Sequence, residues 1–184
     1  MFGQLVRLGL VVASAATALH FTKARAAPAS AAAAPGVEIG SATGLPVPRF
    51  VSLKFDRVNL REGPSMDHPT LWVFERKALP VEVTAESEMW RRVRASDGVT
   101  GWVLNASIAG RRTAIVAPWK PKADAYPIYS GPNGKDAVVA RLQVGVIGDV
   151  THCDGKWCRI AGKGFAGDIP QDELWGVYPN EKFD

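Results

Sequence analysis

The sequence is poor in the residues that most reaction centres are built from. Its 184 residues include 2 Cys and 3 His, and one of the histidines, His20, falls in the N-terminal leader. Only His68 and His152 remain for the rest of the chain. Zinc hydrolysis needs three protein ligands and an open position, and no such cluster is present. There is no phosphate-cradling loop either, because Gly162-Lys163-Gly164 has no helix after it. The neighbouring acids Glu86 and Glu88, and Asp172 and Glu173, read as solvated turns. The sequence therefore predicts no catalytic residue, no metal site, no cofactor and no enzyme activity. Helical periodicity never persists beyond a turn outside the leader, and no apolar run after the leader is long enough to span a membrane. An excess of one charge is missing as well. With Arg7, Lys23 and Arg25 of the leader set aside, 19 basic residues face 18 acidic ones, which argues against a nucleic-acid binder.

What is present is a globular composition, 47% hydrophobic and 22% charged, with 18 Gly and 13 Pro to supply turns. Residues 1–26 read as a signal peptide. Arg7 precedes the apolar run Leu8–Leu19, and Ala24-Arg25-Ala26 offers a small-x-small cleavage site between Ala26 and Ala27. Its length falls short of a spanning helix, and an uncleaved interfacial anchor is the rival reading. The expected location is periplasmic or secreted. Residues 27–48, rich in Ala and Pro, read as a flexible linker. Cys153 and Cys158 flank Asp154-Gly155, a strong hairpin signal, which sets the two thiols opposite each other for a disulfide. The rival is a metal site with His152 as third ligand.

The remaining sequence repeats itself. Leu60-Arg61-Glu62-Gly63-Pro64 matches Ile128-Tyr129-Ser130-Gly131-Pro132, Met89-Trp90-Arg91-Arg92-Val93 matches Lys156-Trp157-Cys158-Arg159-Ile160, and Gly101-Trp102-Val103 matches Gly167-Asp168-Ile169. The offset drifts from 68 to 67 to 66. Each copy reads as about five short strands, too few for a stable open sheet with one wet face, so each must curl into a small barrel. The expected class is all-β, with one barrel over 49–116 and a second over 117–184.

Asn59-Leu60-Arg61-Glu62-Gly63-Pro64-Ser65, Trp90-Arg91-Arg92-Val93 and Gly98-Val99-Thr100-Gly101-Trp102-Val103 together resemble the bacterial SH3 (SH3b) domain. The likeness spans about 50–178, with Tyr126-Pro127-Ile128 and Asp168 departing from the pattern in the second copy. It implies tandem SH3-like barrels in an exported binding module without catalytic function. The implied partner is a cell-wall peptide or glycan or an envelope protein. A protein–protein adaptor that takes extended, Pro-rich segments is the alternative, and a small wall-remodelling hydrolase is a third reading.

Strand alternation suggests the binding residues. Trp90 has opposite parity to Val93, and Trp157 to Ile160, so both tryptophans point out of a barrel filled by Val93 and Ile160. Both also fit as covers over a barrel end or between the copies. Arg91 and Arg92 surround Trp90, with Arg94 close by, and offer partners for carboxylates. Trp72, Tyr126 and Tyr129 are further candidates, whereas Trp102 and Trp175 read as core.

Overall fold

The computed structural model describes residues 38–120 and 125–184. The signal peptide, its Ala26/Ala27 cleavage site and linker residues 27–37 lie outside the described residues. Two small barrels of the same topology follow a short hairpin. The hairpin pairs β1 (Glu38–Ile39) with β2 (Pro46–Val47). In the first barrel β3 (Arg49–Leu53), β4 (Val58–Arg61), β5 (Thr70–Phe74), β6 (Pro80–Ser87), β7 (Trp90–Arg94), β8 (Thr100–Leu104) and β9 (Ile108–Ala109) pair in the order β5-β4-β8-β7-β6-β3-β9. The second barrel uses β10 (Thr113–Val116), β11 (Ala125–Tyr129), β12 (Val138–Gln143), β13 (Ile147–Asp154), β14 (Trp157–Gly162), β15 (Phe165–Pro170) and β16 (Leu174–Trp175) in the corresponding order β12-β11-β15-β14-β13-β10-β16. A last strand, β17 (Lys182–Phe183), adds to β13. Among the described residues no helix is long and apolar enough to cross a membrane.

The alternation in each barrel explains its core. Val81, Val83, Val93, Val103 and Leu60 are fully buried in the first, and Ile128, Ile160, Ile169 and Val116 in the second. A register shift breaks β6 between Val83 and Ala85 and β13 between Val150 and His152, so both copies carry a bulge at the same place, bending the strand to close the barrel. The paired Gly101 and Gly167 serve a second shared need. A Cβ on Gly101 would lie 2.7 Å from the Arg61 carbonyl oxygen and from the Leu60 side chain, and one on Gly167 would lie 2.9 Å from the Tyr129 carbonyl oxygen. Gly101→Ala is therefore expected to cost roughly 2 kcal/mol through overpacking, read as a lower denaturation midpoint. An unchanged midpoint would count against the close approach.

Cys153 and Cys158 stand directly opposite each other and form a disulfide. The Asp154 carboxylate accepts the backbone N–H groups of Trp157 and Lys156, both at 2.7 Å, which closes the turn and lowers its carboxyl pKa. With both sulfurs bonded to each other, the metal reading with His152 loses its thiolates.

Two expected boundaries change. Residues 38–48 are not a free linker but the docked hairpin, with Val47 buried. The expected junction between 116 and 117 also moves. Strand β10 pairs with β13 and β16, so Thr113–Val116 opens the second barrel and does not close the first. All four of its residues are buried.

The two barrels are joined by direct contacts. Phe50 meets Trp175 edge to face with ring centroids 5.3 Å apart and packs on Tyr178 at 4.7 Å. The Ser52 and Thr113 hydroxyls hydrogen-bond at 2.8 Å, and Thr113 donates to the Ala78 carbonyl oxygen. Trp175 is thus a half-buried contact between barrels, not the core residue expected, and the Arg94 guanidinium lies 5.6 Å from its ring centroid.

Candidate functional site

A groove of about 240 Å³ runs along the first barrel, where the loop after β4 folds over the start of β7. Trp90, Leu104 and Ser107 line it together with Arg57, Asn59 and Met66. The alternation of β7 explains the placement. Val93 faces the core and Trp90 has the opposite parity, outside that core cluster, with 8% of its surface exposed. Arg61 shapes that loop by donating through Nη1 to the carbonyl oxygens of His68 at 2.7 Å and Met66 at 3.2 Å. Arg57 is exposed and has no ion-pair partner among the described residues, so its charge is available at the groove.

The other expected residues are distributed unevenly. Arg92 is exposed on the outer face of β7, opposite Trp102. Arg91 is not at the groove. It shares parity with Val93, is 2% exposed, and its guanidinium donates to the carbonyl oxygens of Trp90 at 2.7 Å and Glu88 at 2.9 Å. Trp72 lies on edge strand β5, 53% exposed and opposite Leu60, away from the groove lining. Trp102 is half-buried outside the barrel and not in the core, because Gly101 and Val103 take the inward positions. In the second barrel Tyr129 and Trp157 come together, edge to face at 5.6 Å. Tyr126 packs half-buried against the core there. Asp168, in the place of Trp102, pairs with Arg159 at 2.8 Å.

Glu86 is the residue that sequence reasoning missed. Expected on a solvated turn, its carboxylate is fully buried beneath the N-terminal hairpin. It accepts Thr43 Oγ1 at 2.7 Å, the backbone N–H groups of Thr43 and Ala42 at 2.9 and 3.0 Å, and Arg49 Nη2 at 2.7 Å, with Arg91 Nε at 3.4 Å. A Cβ on Gly40 would collide with that carboxylate at 2.5 Å, so a side chain there would have to displace it. Burial alone would raise the pKa, but the bonds from Thr43, Arg49 and Ala42 together lower it to about 2. The one available signal was Arg91, whose core-facing parity demands a buried acidic partner.

Comparison with known proteins agrees with the two-barrel fold. The bacterial SH3 domain model matches residues 54–110 and 122–176. Two similar solved structures are NlpC2 and NlpC1 from Trichomonas vaginalis, each 17% identical with a TM-score of 0.32. They cover 70% and 74% of this chain, which spans 48% of each of theirs. At that TM-score the likeness carries no functional weight. No curated protein matches. With matched barrels over most of the described residues, the chain belongs to the bacterial SH3 domain family, in tandem.

Proposed function

We propose that the chain is an exported, non-catalytic binding module whose first barrel holds an extended, carboxylate-bearing peptide of the cell wall. The observation that supports this reading is the Trp90 groove, with an aromatic ring for apolar contact and the unpaired Arg57 in its lining. Buried aromatic rings and arginines are the residue types that dominate binding energy at such surfaces, and a guanidinium is suited to carboxylates by its paired donors. The leader read from residues 1–26 and the disulfide support the periplasmic or secreted location.

Retention of the mature protein on purified sacculi tests the reading. Trp90→Ala should weaken retention about thirtyfold, as removal of a central aromatic anchor does. Arg57→Glu, on an exposed side chain that the fold does not need, should weaken it about tenfold, and more so at low salt. Lys77→Ala, on an exposed turn, should leave it unchanged. Retention that ignores both groove substitutions, or no retention at all, would defeat the proposal. Capture of an envelope protein in place of sacculi would favour the adaptor, and muropeptide release lost through one point substitution would favour the hydrolase.

A further inference from the structure

Strand register shows which residues of the second barrel stand in the places of those lining the Trp90 groove. Trp90 stands opposite Leu104, and Trp157 opposite Pro170. Arg61 stands opposite Trp102, and Tyr129 opposite Asp168. The same offset takes Arg57 to Ala125. Ser107 ends the 3-10 turn Asn105–Ser107 and Glu173 ends the turn Gln171–Glu173. Their carbonyl oxygens accept equivalent backbone bonds, from Lys54 N and Ala117 N.

Each exchange moves the chemistry in one direction. The counterparts of Arg57 and Arg61 carry no charge, Arg159 on the same face as Trp157 is paired with Asp168, a second aromatic ring has entered beside the tryptophan, and a carboxylate stands where the serine was. The Tyr129 and Trp157 rings are half-buried, so both keep surface toward solvent. Glu173 Oε2 is buried without a hydrogen-bond partner among the described residues. The charge of Lys120 favours its ionised form, with no ion pair between them. Burial and the neighbouring Asp172 raise the Glu173 pKa. A buried carboxylate oxygen that accepts no hydrogen bond is a costly arrangement, and a bound ammonium would relieve it. Glu173 holds the position of Ser107, which lines the first groove with Trp90, and aromatic rings with a carboxylate at that position are a good receptor for an organic ammonium, which is attracted to the ring faces as well as to the charge.

We propose that the second barrel binds a primary ammonium, carried on an extended chain, over Tyr129 and Trp157 and against Glu173. The two copies would then differ in polarity, the first groove selecting anionic groups and the second cationic ones.

The test uses the mature chain and two capped tripeptides, Ala-Lys-Ala and Ala-Glu-Ala, with the tryptophan indole N–H resonances followed by NMR. The lysine peptide should shift the Trp157 indole signal and leave that of Trp90 in place, and Glu173→Gln should weaken its binding about tenfold. The glutamate peptide should leave the Trp157 signal unmoved. Equal shifts by both peptides, no shift by the lysine peptide, or full binding by Glu173→Gln would overturn the proposal. The Trp90 signal reports separately on the first groove, so failure of one site is not mistaken for failure of the other.

Discussion

Replacing Glu86 with Gln should cost about 3 kcal/mol of stability, because it removes the charge that Arg49 and Arg91 face beneath the N-terminal hairpin. The partners cannot easily find water instead, since the Arg91 side chain is 3% exposed and that of Arg49 16%. Urea denaturation measures the loss, and a change below about 1 kcal/mol would contradict the buried pair. The same group sets an acid limit. Its pKa is lowered from 4.5 in the free side chain to about 2 in the fold, so it binds protons more readily once unfolded. Its contribution is complete above about pH 4.5 and declines as the pH falls toward 2. With solvent screening at the barrel edge counted, about 2 kcal/mol should disappear across that window. Glu86→Gln should flatten this part of the stability curve, and an unchanged curve would remove Glu86 as its source.

Glu82→Ala should loosen one barrel from the other. Glu82 is 3% exposed on β6. It accepts Arg94 through Nε at 2.8 Å and Nη2 at 2.6 Å, and Tyr178 Oη at 3.0 Å. Tyr178 belongs to the segment after β16, so this carboxylate links the first barrel to the second. Burial, and then the charge of Glu82, pushes the phenol pKa far above its ordinary value, which keeps the proton on the oxygen that donates. Truncation would leave both donors without their acceptor at a cost of about 3 kcal/mol. Calorimetry should show one unfolding transition becoming two, as the barrels lose cooperativity. Tyr178→Phe removes one of the three bonds and should cost only about 1 kcal/mol with the single transition kept. A single transition at an unmoved midpoint in Glu82→Ala would show that the ring contacts of Phe50 and the hydrogen bonds of Thr113 hold the junction without it.

The repeat was legible because its landmarks answer to geometry. Gly101 and Gly167 are needed for the same close strand crossing, and Trp90 and Trp157 open the same strand. The outward face of Trp90 followed from parity with Val93. The same parity puts Arg91 inside although its charge points to the surface, and the Trp90 and Glu88 carbonyl oxygens together with the buried Glu86 reconcile the two. The docked hairpin was hidden because side-chain and backbone hydrogen bonds to Glu86 hold it, and these leave no hydrophobic period in Gly40-Ser41-Ala42-Thr43. The barrel boundary was hidden for the opposite reason. Thr113–Val116 is buried on both faces, so it lacks the alternation that marks a half-buried strand.

The connector between β9 and β10 is three residues long and contains Arg111 and Arg112 side by side. Arg111 pairs with Asp149, and Arg112 with Glu181 at 2.9 Å and the Gly176 carbonyl oxygen at 3.0 Å. A dibasic bond is a preferred substrate for trypsin-like proteases, yet such enzymes must draw out several residues on either side of the cut. Here those residues are strands of two different barrels. The bond is therefore latent in the native molecule, and its cleavage rate reports how often the barrels part.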